Sequence, residues 1–315
     1  ETGTSGCPTT SVPTGPRLYA IDPSQWAGYQ QAAARGDPKV AGLLSALKTD
    51  ADTALPAGPW SVVNAPSAPS SGDKHDYATL SRYWWPNPNT ASGLPYVRRD
   101  GKTDPLVKNY PDETYLDSMV NATSTLAKAW SLLHTPSYAA RAATLLTTFF
   151  LNPATAMNPN VTYGQFIPGV STTTGDGILD TRVMIRVLDD ITMLRGSAAW
   201  TVADDRAMSA WLSSFLTWLT TSTTGRAGAA QPNNHGTWYD DEVAAIALFL
   251  GHNDIARSIV DGFVTTRVEV QIKSDGTQPL ELARTNAWDY STFNLTAAVG
   301  VAATARYFGV DLYRC

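Results

Sequence analysis

Apolar residues at helical spacing, separated by long loops rich in Pro, Gly, Ser and Thr, are the feature that most constrains this sequence. Between residues 114 and 133, Leu116, Met119 and Val120 recur on one side of a helix, with polar residues between such positions. The same spacing predicts helices over 24–33, 38–47, 114–133, 138–150, 179–194, 203–219, 238–250, 254–271 and 288–307. Successive helical hairpins joined by long loops predict a mostly α fold.

Length and composition favour a single domain. The 315 residues contain no low-complexity linker, so we expect an irregular arm over residues 1–16 and one domain over 17–315. Glu1-Thr2-Gly3 is interpreted as a cloning remnant left after removal of a secretion signal. The net charge is −5 without any basic tract, so no nucleic-acid partner is expected. No apolar run reaches the roughly 18–20 residues of a membrane span, so we expect no membrane partner, and we expect a monomer.

The two cysteines lie near the two ends of the chain. Cys7 and Cys315 are either both free or joined in one disulfide, and we favour the disulfide because chain termini often lie close together. Such a bridge would contribute roughly 4–5 kcal/mol through loop closure. Three glycosylation sequons begin at Asn121, Asn160 and Asn294, and together with the cysteines they predict a secreted glycoprotein. We do not expect a glycan on Asn294.

A polar segment over residues 231–242, with the sequence QPNNHGTWYDDE, precedes the apolar residues 243–250. Proline and paired asparagines resist helix formation, so the segment is predicted to be a turn at the start of a helix. An Asn amide and an imidazole can each donate a hydrogen bond to a carboxylate. Asn234 and His235 are therefore candidates for binding an acidic sugar, whereas Asn233 is assigned to the turn geometry.

Two further motifs complete a pattern in the sequence. Residues 278–291 have the sequence QPLELARTNAWDYS, and residues 81–88 have the sequence SRYWWPNP. In this order the three motifs resemble those of the alginate-lyase superfamily of polysaccharide lyases, and the resemblance extends from about residue 76 to 312. It implies an incomplete (α/α) toroid and a catalytic site formed by Asn234, His235, Arg284 and Tyr290.

A lyase acting on a uronate must remove the proton on C5 and expel the oxygen on C4. It needs donors that neutralise the carboxylate, a base, and an acid. Tyr290 is the candidate for both base and acid, because in mannuronate and glucuronate the proton and the leaving oxygen lie on one face of the ring. A free phenol has a pKa of about 10, and we expect Arg284 to lower the pKa of Tyr290. Tyr239 is the second candidate for this role.

Aromatic and basic residues near the motifs are predicted to bind the substrate. Flat aromatic faces can stack on pyranose rings, and arginines bind carboxylates with bidentate geometry. Trp85 is assigned to packing within its loop. The predicted substrate-binding residues are Arg82, Tyr83, Trp84, Tyr96, Arg98, Arg99 and Tyr239.

Three functions remain open at this point. The first is an endo-acting lyase that cleaves β-1,4-linked uronates, with mannuronate-rich alginate or glucuronan as the anionic substrate. The second is a glycoside hydrolase on an α/α barrel, which needs a pair of carboxylates from among Asp176, Asp180, Asp241 and Glu281. The third is a non-catalytic protein that binds oligouronates. No zinc, calcium or nucleotide motif is present, so we predict no metal and no cofactor.

Overall fold

A computed structural model describes residues 6–315, and the interpretation of Glu1-Thr2-Gly3 lies outside these residues. The fold is mostly helical, as predicted. The helices are α1 (Pro23–Ala34), α2 (Pro38–Ala54), α3 (Asp112–Leu133), α4 (Pro136–Leu146), α5 (Ile178–Thr181), α6 (Met184–Leu194), α7 (Val202–Thr221), α8 (Thr223–Ala229), α9 (Asn234–Leu250), α10 (Asn253–Phe263), α11 (Glu269–Gln271), α12 (Pro279–Leu282) and α13 (Ala287–Ala305). The strands are β1 (Ala78–Leu80), β2 (Trp84–Trp85), β3 (Val97–Arg98) and β4 (Tyr163–Phe166).

Helix α9 lies at the centre of the packing. It contacts α5, α6, α7, α8, α10 and α13, and most of its residues are buried. A helix buried on all sides in this way needs neighbours around its whole circumference. Helices that follow each other in the chain, such as α3 with α4 and α9 with α10, also pack together. The main cluster of buried apolar side chains extends from Leu18 to Ala297.

Helix α9 begins earlier than its sequence predicts. The helix was predicted from residue 238, after a turn, but it already starts at Asn234. Two side chains satisfy the free N–H groups of its first turn: the Asn233 side chain accepts from the His235 N–H, and the Glu281 carboxylate accepts from the Asn234 N–H at 2.8 Å. Because Glu281 lies 47 residues away in the chain, this capping is tertiary and is not visible in the local sequence.

Two small sheets fix the loops that follow the N-terminal helices. Strands β1 and β4 pair in parallel, which places Leu80 opposite Phe166. Strands β2 and β3 pair antiparallel, with Trp84 opposite Arg98 and Trp85 opposite Val97. The aromatic motif and the basic residues after it are therefore held side by side.

The ends of the described chain are joined. Cys7 and Cys315 form the predicted disulfide, with their Cα atoms 5.0 Å apart. Asn294 is buried and its amide donates to Gln271 and Gln278, so this sequon offers no site for a glycan in the folded protein. Within residues 6–315, no helix combines the length and the hydropathy of a membrane span.

Candidate active site

The three motifs converge on one open cleft of about 510 Å³. The motif of residues 81–88 contributes β2 and the residues just before it. The motif of residues 231–242 contributes the first turn of α9, and that of residues 278–291 contributes the segment from α12 to α13. The residues of the predicted site that line the cleft are Arg82, Tyr83, Trp84, Arg98, His235, Arg284 and Tyr290.

Arg284 and Tyr290 form the closest contact of predicted catalytic residues in the cleft. The Arg284 Nη2 donates to the Tyr290 hydroxyl oxygen at 2.9 Å. The guanidinium carbon lies 3.8 Å from the centroid of the Tyr290 ring and 6.0 Å from that of Tyr83. The side chain of Arg284 is 15% exposed, so its charge acts on the phenol with little screening by water.

The pKa of Tyr290 differs from the sequence-based prediction. Burial raises the pKa of Tyr290 well above its ordinary value, and a hydrogen bond with Tyr83 raises it further. Arg284 lowers it, as expected, but its charge does not outweigh the burial. The prediction of a lowered pKa was therefore wrong in its net direction, although Arg284 acts in the predicted sense.

Asp100 holds Arg284 in place. Its carboxylate accepts from Arg284 Nη2 at 2.7 Å and from Arg284 Nε at 3.2 Å, and it also accepts from the backbone N–H of Thr285. Arg98 donates to the same carboxylate at 2.9 Å. These bonds hold the pKa of Asp100 well below its usual range, chiefly through Arg284. The guanidinium is thus fixed between a permanent carboxylate and the Tyr290 hydroxyl.

His235 enters the cleft from the first turn of α9. Its side chain is 16% exposed, and its Nδ1 lies 3.1 Å from Oδ1 of Asp176, which also lines the cleft. This is ion-pair distance, although Nδ1 is not aligned for a hydrogen bond. The other ring nitrogen, Nε2, has no hydrogen-bond partner among the described residues and is the available donor at the edge of the cleft.

The structure separates the two asparagines in a way that the sequence did not predict. Asn234 does not line the cleft; it is fully buried, and its amide donates to Glu281 at 2.7 Å. Asn233, which was assigned to turn geometry alone, caps α9 and also lines the cleft beside His235. The helical twist explains why Asn233 and not Asn234 lines the cleft, because adjacent residues in the first turn point in different directions.

The predicted substrate-binding residues fall into two groups, those that line the cleft, which include Tyr83 and Trp84, and those that do not. Arg82 and Arg98 line the cleft, but each is bound to an acid: Arg82 Nη2 lies 2.5 Å from Glu113, and Arg98 binds Asp100. Three others lie outside the cleft. Arg99 stacks over the Trp85 ring at 4.9 Å, the Tyr96 side chain is only half-buried beyond the cleft wall, and Tyr239 is buried with its hydroxyl donating to the Leu219 carbonyl.

Burial accounts for the position of Tyr239. It is 8% exposed, and burial raises the pKa of its hydroxyl to about 12. Its location one turn after His235 turns it into the core, so neither substrate contact nor the second-candidate role in catalysis fits this geometry.

Gln165, Arg182 and Phe293 are among the cleft residues that were not candidates from sequence. Gln165 has an unusual positive φ of 52° in β4, and its amide donates to Asp180. Arg182 lies over the Phe293 ring at 5.7 Å, and both line the cleft. Arg182 precedes α6 and lies within the range of the family resemblance but outside its three motifs. Gln165 has no sequence signal because the pairing of β1 with β4 places it.

Comparison with known proteins agrees with the geometry. Residues 61–315 match the family described as Alginate lyase. The chain belongs to the alginate lyase family. A solved alginate lyase from Bacteroides ovatus is similar over 96% of this chain and 79% of its own, with 34% sequence identity and a TM-score of 0.92. No curated protein matches the chain significantly.

Membership in the alginate lyase family confirms the predicted helical toroid and shows that the protein is a polysaccharide lyase. The hydrolase hypothesis is set aside. Of its four acids, Asp176 and Asp180 line the cleft, whereas Glu281 is buried against Asn234 and Asp241 lies in a different groove.

The described part of the chain contains no group of three or more His, Cys, Asp or Glu side chains able to hold a metal ion.

Asp180 stabilises the structure around the cleft and is not placed as an acid catalyst. It is fully buried and accepts hydrogen bonds from Tyr77, Thr79 and Gln165. Burial, with the nearby charge of Glu113, raises the pKa of Asp180 to about 7. Its donors fix β1 against β4 and thereby shape the floor of the cleft.

Proposed function

We propose that this lyase cleaves β-1,4-linked uronate polymers, with mannuronate-rich alginate or glucuronan as substrate. The hydrogen bond of 2.9 Å between Arg284 and Tyr290, in the cleft that also contains His235, carries the proposal. Alginate is proposed as a substrate because the similar Bacteroides ovatus enzyme is an alginate lyase. Glucuronan has the same relation between the C5 proton and the C4 oxygen as mannuronate does.

Neutralising the substrate carboxylate is the first requirement. His235 and Asn233 line the cleft next to each other and carry N–H donors suited to a carboxylate. Donors aimed at charge that develops in the transition state contribute about 3–4 kcal/mol each. We assign Asn234 a positioning role, because its bond to Glu281 ties the first turn of α9 to α12.

Proton removal is assigned to Tyr290. The phenolate oxygen takes the C5 proton, the electron pair of that C–H bond forms the C4–C5 double bond, and the C4–O bond breaks. The Nη2 of Arg284 stabilises the phenolate charge before the transfer. The same hydroxyl then returns the proton to the departing C4 oxygen, so the cycle consumes no water and needs no second acid. Positioned proton transfer of this kind supplies roughly 10²–10⁴-fold in rate.

Ring stacking would orient the sugar for this transfer. Tyr83 and Trp84 line the cleft next to the catalytic pair, and both present flat faces to a pyranose ring. Arg182 and Arg98 add positive charge to the cleft. An acidic polymer fits this lining better than a neutral one does.

The deciding experiment is incubation of the protein with polymannuronate, polyguluronate and glucuronan separately, following the ultraviolet absorbance of new C4–C5 double bonds. We expect absorbance with polymannuronate or glucuronan and little with polyguluronate, whose C5 proton lies on the other face of the ring. No absorbance with any polymer would reject the proposed function. Binding of oligouronates without absorbance would identify the non-catalytic protein instead.

We also propose that the enzyme is a secreted monomer whose catalytic domain covers residues 17–315. The disulfide supports an oxidising compartment, in which such bridges form and persist. Asn121 is exposed on α3, so this sequon is open to a glycan. Mass spectrometry of protein secreted from a eukaryotic host tests the glycan, and size-exclusion chromatography with light scattering tests the monomer.

A further inference from the structure

A second groove, of about 640 Å³, lies on the other side of Arg182 from the cleft. The segment before α1, together with α6, α9 and α13, forms its walls, and apolar surface predominates. Trp238 and Asp241 form part of its lining, and the exposed side chains of Val299 and Tyr313 lie at its rim. Its size is within the range of sites that hold small ligands.

Several polar side chains that line this groove lack hydrogen-bond partners within residues 6–315, among them the Tyr19 hydroxyl and the Nε atom of Arg306. Asp241 is 3% exposed, and no residue within 6–315 donates a hydrogen bond to its carboxyl group, whose pKa burial raises well above the usual value. Trp238 is 8% exposed, and its Nε1 has no acceptor in the described structure. Buried polar groups in proteins are nearly always paired. Several unpaired groups lining one groove therefore indicate a polar ligand.

Gly300 provides the room for Asp241. A Cβ at this position of α13 would collide with the carboxyl oxygens of Asp241, so only glycine lets the acid lie against the α13 backbone. The carboxyl group is thus held at the contact of α9 and α13, where both Asp241 and Gly300 line the groove.

The charges around the groove favour an anion. Arg306 is paired with Asp22 at 2.7 Å. Arg182 and Arg186 also line the groove, but they donate to the Leu179 carbonyl and the Asn121 amide oxygen rather than to a carboxylate. Burial raises the pKa of Asp241 and so disfavours its charged form, and within the described residues Arg182 and Arg186 have no bonded acid.

We propose that this groove is a second binding site for an acidic oligosaccharide of the uronate class. The sugar carboxylate would bind Arg186 and Arg182, hydroxyl groups would bond to Asp241 and to the indole N–H of Trp238, and a ring face would lie on Tyr313. Sugar hydroxyls both donate and accept, as these two groups require. The choice of a uronate rests on the proposed function, since the same polymer would supply the ligand.

The groove shares a wall with the cleft. Arg182 lines both, its guanidinium lies over Phe293, and Phe293 packs on Trp238 with ring centroids 4.9 Å apart. A ligand that contacts Arg182 or Trp238 from the groove therefore touches side chains that also bound the catalytic cleft. We therefore expect a ligand bound in the groove to affect the shape of the cleft.

The test is calorimetric titration of Tyr290→Phe protein with a mannuronate tetrasaccharide, which this variant is not expected to cleave. We expect two binding events per chain. Adding Val299→Trp should fill the groove and leave one event. Adding Val202→Trp, which changes another exposed valine at the start of α7, should leave two.

Equal stoichiometry in the Val299→Trp and Val202→Trp proteins would overturn the second site. If Val299→Trp does not fold, Asp241→Asn decides: the weaker event should lose about tenfold in affinity through the altered hydrogen bond, and unchanged affinity would overturn the proposal. Failure of the proposed function appears separately, as an absence of double-bond absorbance with wild-type protein and polymer.

Discussion

The cleft and the second groove meet at Arg182, but the network around Tyr290 in the cleft and the polar groups of the groove differ in how they are satisfied. In the cleft, Tyr290, Arg284 and Asp100 form a continuous chain of hydrogen bonds. In the groove, the Tyr19 hydroxyl, Trp238 Nε1 and Arg306 Nε have no partner within residues 6–315, and no described residue donates to the buried Asp241. A bonded network fixes reacting groups before substrate arrives, as catalysis requires, whereas unpaired groups can bond only to what enters. The difference separates a site built for reaction from one built for binding.

Removing the phenol from the bonded network should have the largest effect. We expect Tyr290→Phe to lower kcat on polymannuronate or glucuronan by about 10³-fold or more, because base and acid are lost together. Tyr138→Phe is the matched control, since its hydroxyl bonds to Asp52 outside the cleft. Rates are followed by double-bond absorbance. Near-normal turnover in Tyr290→Phe would remove this tyrosine from the mechanism.

The pH dependence of the wild-type enzyme tests the same network. Because burial raises the pKa of Tyr290 above its ordinary value, the phenolate remains the minor form at neutral pH and increases about tenfold per pH unit. We expect kcat/KM to rise with pH between about 7 and 9. In Tyr83→Phe the hydrogen bond that raises this pKa is lost, so the rising limb should move to lower pH.

A flat or falling profile over this range would contradict a phenolate base. An unmoved profile in Tyr83→Phe would show that burial alone sets the pKa of Tyr290.

Loosening the network at its far end should have a smaller effect. We expect Asp100→Asn to lower kcat about tenfold, because an amide holds the Arg284 guanidinium less firmly than a carboxylate does. KM should change less, since Asp100 does not line the cleft. Asp261→Asn, in an exposed pair with Arg257, is the control. A loss confined to KM would assign Asp100 to substrate binding rather than to positioning.

A substitution in the groove should have the smallest effect, and the quantity it changes is the thermal stability. Burial raises the pKa of Asp241 in the folded protein, so the folded state holds its proton more tightly than the unfolded chain does. Stability is therefore lost as the pH rises above the unfolded value of about 4. Asp241→Asn avoids this loss, and we expect its Tm at pH 8 to exceed that of wild type by about 2–4 °C.

Scanning calorimetry at pH 8 and at pH 4 checks the sign, because the advantage should shrink at the lower pH. A lower Tm for Asp241→Asn at pH 8 would mean that the carboxyl group has a partner in solution.

The helices and the location of the site were predictable because their causes are local. The spacing of apolar residues predicted most helices. Three motifs in the order typical of the family identified the family and indicated His235, Arg284 and Tyr290 as candidate site residues. The disulfide between Cys7 and Cys315 also followed from sequence. The roles of these side chains in the reaction remain predictions.

The rest depended on contacts between distant parts of the chain. The Glu281 carboxylate accepts hydrogen bonds from the backbone N–H and the side-chain amide of Asn234, so α9 begins at this residue. Asn233 therefore lies beside His235 in the cleft. Asp100 reaches Arg284 across 184 residues of sequence. The raised pKa of Tyr290 depends on burial, which no motif encodes. Such effects appear only once the packing is known.

The bridge between Cys7 and Cys315 makes a covalent ring of nearly the whole chain. A protease that cuts any exposed loop between them opens the ring but releases no fragment. The two pieces would stay linked until a reductant is added, so on a gel the cut becomes visible when samples with and without thiol are compared.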